Sequence, residues 1–272
     1  MSSYSLENRH KIEQDFHDKW AQEIEVEKLL VKESFEAKTA IENRRILEIL
    51  GDLNGKKVLD LGCGAGEAAV YFALKGAQVS AVDISPLMLQ KTQESAKRFQ
   101  VPVDTYQMTV ENLDLPDESF DVVYGSSVLH HSDVGLAIKM IARVLKKTGT
   151  AVFIDPLDYN PVINIYRKIA KEVRTPTEKP LTLKDIEGMG NYFTQVRLEH
   201  FWLLAMGIFI YMFFIERIDP GKDRYWKRVI RESTRYQRLF DFLNNLDKKI
   251  LRLIPFLGRF CWTTIIILKY KK

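Results

Sequence analysis

Over the first fifty residues, apolar side chains recur at helical spacing within a highly charged background. Phe16, Trp20, Ile24 and Leu30 anchor the stretch, and Ile46, Leu47 and Leu50 face inward from a helix that Thr39 and Glu42 would open as a capping box. At Val58 the period changes. Val58, Leu59 and Leu61 form a short apolar run, broken only by Asp60, that enters a turn with glycines at 62, 64 and 66, the pattern of a buried strand running into a glycine loop. The spacing predicts a helix over 67–75 with Gly76 in the place of a left-handed C-terminal cap, then a second strand over 78–82 ending on Asp83. Ser85 is a good N-cap and Pro86 a good first helical residue, so the next helix is expected from 86 to about 99. Strands over 103–108, 120–124 and 150–154, with a helix over 135–146, continue the alternation. The fold class that follows is α/β with a parallel sheet.

The end of the chain departs from that rhythm. Residues 195–201 and 260–268 read as the last two strands, and the stretch between them is too long for an unstructured connection, so a helical insertion is expected over 202–259. Its first part, 201–215, is apolar apart from Gly207; as a helix it would extend roughly 22 Å, short of the ~30 Å of a bilayer's hydrocarbon core. Its second part sets Trp226, Val229, Leu239, Phe240, Leu243 and Ile250 at helical spacing against Arg224, Lys227, Arg228, Arg231, Arg235 and Arg238. Two arrangements fit: apolar faces folded together as a lid over a pocket with a solvated basic rim, or a basic amphipathic surface resting on anionic lipid. The lid is the arrangement expected. The resulting organisation is a helical cap (1–50), a core (51–201), the insertion (202–259) and a final core strand (260–272).

The 272 residues suffice to bury a real core, and a net charge of +4 does not by itself call for a nucleic-acid partner. The two cysteines, Cys63 in the glycine loop and Cys261 in a late apolar run, form no disulfide framework, and Glu7, Arg9, Lys11 and Glu13 break any signal-peptide core. A cytoplasmic protein is expected, with membrane association through 202–259 as the open alternative. No His/Cys set has zinc spacing, so no metal is expected.

The chemistry concentrates at the glycine loop. Side-chain-free residues let a ligand lie against backbone, and the helix start offers amide donors and a partial positive charge. A carboxylate at the end of the second strand, about 20 residues after the first glycine, is where nucleotide-binding α/β folds grip a ribose diol, which makes Asp83 the candidate. The spacing is GxGxG rather than GxGxxG, with Glu67 in the place of the third glycine of a dinucleotide fingerprint, so a nicotinamide cofactor is disfavoured. The run Asp60-Leu-Gly-Cys-Gly-Ala-Gly66 resembles motif I of class I S-adenosylmethionine-dependent methyltransferases. Residues 108–123 resemble the same family's "gDAExLPfpdxsFDvV" stretch, 125–133 its "xxxvLHHxxD" segment, and 143–149 its "RVLKPGG" turn. Later segments, including Asn160-Pro161 and Arg174-Thr-Pro-Thr-Glu-Lys-Pro-Leu181, resemble a small-molecule branch of the ubiquinone/menaquinone, or methyltransferase type 11, kind.

That resemblance implies a Rossmann-like seven-stranded sheet ordered 3-2-1-4-5-7-6, S-adenosylmethionine as cofactor and S-adenosylhomocysteine as product. It implies a donor site made of Asp60, Gly62, Cys63, Gly64 and Gly66 in the loop, Asp83 on the ribose, Ile84 and Met88 beside adenine, Thr109, Val110 and Glu111 at its edge, and Ser126 near the methionine portion. Thr109 stands where the family has an adenine-binding Asp. His131 is the candidate base for a nucleophile that carries a proton, and His17, from the N-terminal helices that cover the cofactor in this family, is the second candidate catalytic residue. Tyr166, Arg167 and Arg174 could reach an acidic group, but solvated helix positions are the reading expected for them. The expected reaction is direct methyl displacement onto a hydrophobic small molecule. A non-catalytic S-adenosylmethionine-binding module and an RNA methyltransferase holding phosphates with the basic insertion are the alternatives.

Overall fold

The computed structural model describes residues 5–169, 174–221 and 223–270; the side chain of Tyr166 lies outside the described residues. The chain opens with α1 (Leu6–Gln22), capped by the Ser5 hydroxyl accepting from Asn8 N, and continues through α2 (Glu33–Glu36) and α3 (Ile41–Leu50). The capping box expected at Thr39 and Glu42 is not formed. The Thr39 hydroxyl donates instead to the Val229 carbonyl at 2.8 Å, and Glu42 Oε1 accepts from the Thr263 hydroxyl at 3.0 Å. Both side chains tie the N-terminal segment to the C-terminal third of the chain, a use that local spacing does not reveal.

The sheet follows: β1 (Lys57–Leu61), α4 (Glu67–Leu74), β2 (Gln78–Asp83), α5 (Pro86–Phe99), β3 (Val103–Gln107), β4 (Phe120–Ser126), α6 (Val134–Val144) and β5 (Leu145–Asp155). After α7 (Pro161–Ile169) and α8 (Leu183–Met189) come β6 (Gln195–Phe201), the helices α9 (Gly207–Phe214), α10 (Tyr225–Arg231) and α11 (Ser233–Leu253), and β7 (Thr263–Lys269). The strand order is 3-2-1-4-5-7-6. β1 to β5 pair in parallel and β7 runs antiparallel to both β5 and β6, so the expected seven-stranded topology is present. β7 begins at Thr263 rather than at 260, because Pro255–Phe260 forms a 3-10 turn. β5 begins at Leu145, which pairs with Phe120 before a bulge restores register at Thr150 and Val122.

Alternate strand residues feed opposite faces, as the two-residue period of a strand requires. Val58, Val122, Val152 and Ile265 face the layer holding α3, α4 and α5, while Leu59, Val123, Phe153 and Ile266 face the layer holding α6 and α8. The strand order reverses between β1 and β4, and the ligand crevice of such sheets lies at that reversal, beyond the carboxyl ends of the strands. The insertion is helical, as expected, and builds its own core from Trp202, Ile208, Met212, Tyr225, Val229 and Phe240. Its basic side is largely paired rather than solvated: Lys227 with Glu67, Arg228 and Arg231 with Asp223, and Arg235 with Glu216.

Candidate functional site

A cavity of about 570 Å³ opens over the carboxyl ends of β1, β2 and β4 and is lined as well by side chains of α1 and of the insertion. One end is acidic and backbone-lined. Gly62 sits at φ +64, and a Cβ there would approach Val128 Cγ2 to 2.7 Å, so the loop can take this course only with glycine. Gly64 faces open space, with nothing within 4 Å of the position a Cβ would occupy. Asp83 holds the loop in place: Oδ2 accepts from Gly64 N at 2.8 Å and Oδ1 from Ser85 N at 2.9 Å. A carboxylate has about four lone-pair positions, so these bonds leave room for ribose hydroxyls. Burial pushes the Asp83 carboxyl up to about 6 against the pull of those amides. Asp60, 1% exposed, has an Oδ2 without a hydrogen-bond partner, and burial, reinforced by the nearby Asp83, pushes it up to about 8.

Of the expected donor-site residues, Asp60, Gly62, Cys63, Gly64, Asp83, Ile84, Thr109, Val110, Glu111 and Ser126 all line the cavity. Two do not. Met88 is fully buried in the core beneath α5, because Ser85 as N-cap and Pro86 set a helical phase that turns Met88 inward. Gly66 caps α4 at φ +82, and a Cβ there would meet Thr92, including its Cα at 3.0 Å; its smallness serves the packing of α4 on α5. Thr109 and Asn112 bridge to form a tight turn, with Val110 buried between them. Glu111 accepts from Asp133 N at 2.8 Å and pairs with His10 at 3.3 Å.

The other end carries the histidines. His131 Nδ1 lies 3.0 Å from Glu13 Oε2, and Glu13 Oε1 accepts from the hydroxyls of Thr175 and Thr177. Burial works against charge on Glu13, but His131 and the two threonines outweigh it and hold the carboxyl down at about 2. Burial likewise works against a charged His131, and Glu13 reverses it, leaving this ring above the ordinary histidine value. His17, one helical turn beyond Glu13 in α1, stands 3.7 Å from the same carboxylate; burial and the charge of His131 hold it down at about 4. His130 is buried and bonded through Nδ1 to Asp155 at 2.6 Å, and burial followed by the charge of His131 lowers it. Sequence reasoning missed Glu13 and Asp155. The one local trace was the spacing of Glu13 and His17, four apart on one helix.

One nitrogen from each of His130 and His131 and a Glu178 oxygen lie within 4.8 Å of one another, a grouping that could surround a cation. Its carboxylate is already held by Arg174 and faces Arg167 at 3.5 Å. Arg167 and Arg174, expected as solvated helix positions rather than partners of an acidic group, thus meet a carboxylate of the protein itself.

Residues 59–153 match the family model described as a methyltransferase domain. These residues carry a methyltransferase domain. The domain is similar to the ubiquinone biosynthesis O-methyltransferase of Alkalilimnicola ehrlichii, 35% identical over 47% of this chain and 52% of that protein. It is also similar to the demethylmenaquinone methyltransferase of Tropheryma whipplei, 38% identical over 40% and 45% of the two chains. This chain thus spans about half the length of the curated relatives it matches. A Haemonchus contortus phosphoethanolamine N-methyltransferase 2 structure containing S-adenosyl-L-methionine shares the fold, with TM-score 0.59 and 20% identity over 99% of this chain and 61% of that one.

The donor of this family is S-adenosylmethionine, and the methyltransferase domain fits it. An unpartnered, buried Asp60 oxygen suits the donor's ammonium, and the open face of Gly64 leaves room for its tail. Ile84, Met108 and Val110 form an apolar wall for a purine.

Proposed function

We propose that the protein transfers the methyl group of S-adenosylmethionine to a hydroxyl oxygen of a hydrophobic, quinone-type small molecule. The observation that carries this reading is the His131–Glu13 pair, which lines the same cavity as the acidic donor cradle and the apolar Phe16, Val162, Ile165, Phe209, Phe213 and Trp262. When bound, the donor supplies an electrophilic methyl on a sulfonium, so the protein's tasks are alignment, exclusion of water and removal of one proton. Nδ1 of His131 faces Glu13 Oε2 at 3.0 Å and the Thr175 hydroxyl at 3.3 Å, so Nε2 is the nitrogen assigned to accept the hydroxyl proton as oxygen bonds to the methyl carbon and the carbon–sulfur bond breaks. Glu13 keeps the ring oriented and supports the imidazolium that results. His17, a weaker base than His131, serves as a neutral hydrogen-bonding neighbour.

The ubiquinone- and menaquinone-pathway names of the relatives favour the same substrate class. The ion pairs along α10 and α11 speak against an RNA-binding face, since phosphates would have to displace carboxylates already in place. The test is turnover on a demethylated hydroxyquinone with mass detection of product. Wild-type protein is expected to yield the O-methyl ether, and His131→Ala to lower kcat by about 10² or more with donor affinity retained. Donor binding with no methylated product from any phenolic quinone would favour the binding module instead.

A further inference from the structure

We infer that the outer side of α9, at the mouth of the cavity, is a docking surface for an anionic lipid bilayer. The inner side of this helix is accounted for: Ile208 and Met212 are fully buried in the core of the insertion. Its outer side is not. Ile210, Tyr211, Phe213, Phe214 and Ile215 stand exposed in succession, Phe214 and Ile215 at 67% each. Exposed apolar residues scattered singly are ordinary, whereas a contiguous group of this size marks a binding surface. Val162 and Ile165 of α7 are also exposed, Ile165 at 59%, and they line the same cavity as Ile210, Phe213 and Phe214. The patch therefore forms the rim of the entrance.

Charge identifies the occupant. Between 202 and 259 the chain carries twelve Lys and Arg against six Asp and Glu, while the net charge of the whole is +4, so the remainder is slightly acidic. The ion pairs of α10 and α11 consume part of this excess, and exposed Arg217, Lys248, Lys249 and Arg252 remain beside α9 and at the end of α11. Asp247, next to Lys248, accepts from the amides of Leu203, Leu204 and Ala205 just ahead of α9, which fixes that cationic turn against the base of the helix. Apolar side chains at an entrance with cations behind them match a surface that inserts shallowly among acyl chains and meets anionic headgroups. Among the described residues no helix is long and apolar enough to cross a membrane, and the contact inferred for α9 is a shallow one.

This surface gives a lipophilic substrate a route from the bilayer into the cavity without crossing water, and that route rests on the proposed substrate class; the lipid contact does not. The test is co-sedimentation of the full chain with phosphatidylcholine vesicles and with vesicles containing phosphatidylglycerol, alongside donor titration by calorimetry and light scattering for oligomeric state. Wild type is expected to partition about tenfold or more in favour of the anionic vesicles. Tyr211→Asp with Ile215→Asp, both outside the cavity lining, should lower that partitioning at least about tenfold with donor affinity unchanged. A wild type that ignores anionic vesicles overturns the proposal, and retained donor binding in that experiment leaves the methyltransferase reading standing. A variant that partitions like wild type, or a wild-type dimer that the variant dissolves in the absence of vesicle binding, overturns it as well.

Discussion

Glu13 Oε2 lies 3.0 Å from Nδ1 of His131, joining a helix at the start of the chain to the turn that follows the fourth strand. A buried carboxylate in that position raises the affinity of the ring for a proton. It also makes the N-terminal helix part of the site.

The first consequence concerns pH. A base works when deprotonated, so kcat/KM should rise with pH through a value above the ordinary histidine pKa of about 6.5. Glu13→Gln removes the negative charge, and the rising limb should move to lower pH while kcat falls about tenfold or more. A merely structural role for Glu13 would change activity without moving the limb. Rate profiles of both proteins on the same substrate decide this.

Glu13 also predicts a stability trend. Its carboxyl is held at about 2 in the fold against an ordinary value of 4.5, so its contribution is present above 4.5 and is lost as pH falls towards 2. Urea midpoints should show a smaller loss over that window in Glu13→Gln than in wild type.

Asp60 predicts the opposite sign. Raised to about 8 from 3.8, its contribution is complete below 3.8 and disappears as pH rises through 8, because the fold must then hold an unpartnered buried charge. Asp60→Asn should therefore raise the melting temperature of the donor-free protein at pH 9 while weakening donor affinity. Thermal melts with and without S-adenosylhomocysteine separate the two effects.

Two glycines of the same loop, Gly64 and Gly66, should respond differently. Gly66→Ala forces a Cβ against Thr92 at left-handed φ and should cost stability of at least about 1–2 kcal/mol. Gly64→Ala meets no protein atom within 4 Å, so beyond the backbone strain at φ +53 its main effect should be a weaker donor. Denaturation and calorimetry of the pair provide the comparison.

What could be read from the sequence was what short stretches determine. The strand, glycine loop, helix and acid from Val58 to Asp83 follow from local period, and the Ser85 cap with Pro86 set α5 at the expected bounds. The helical insertion followed from the length between the last two strands. Side chains whose partners lie far away in the chain were not legible. Thr39 and Glu42 look locally like a cap, yet they bond to Val229 and Thr263. Met88 turns inward by a helical phase that fixes its direction only once α5 is packed on the sheet. The Asp155 partner of His130 sits at the end of another strand, and only the sheet order makes them neighbours.

The most direct measurement is transfer of a deuterium-labelled methyl group from S-adenosylmethionine to a demethylated hydroxyquinone, followed by mass spectrometry across a pH series. One labelled methyl on oxygen is expected per S-adenosylhomocysteine formed, with a rate that climbs through the His131 limb and collapses in His131→Ala. Label on carbon or nitrogen, or a pH profile unchanged by loss of His131, would contradict it.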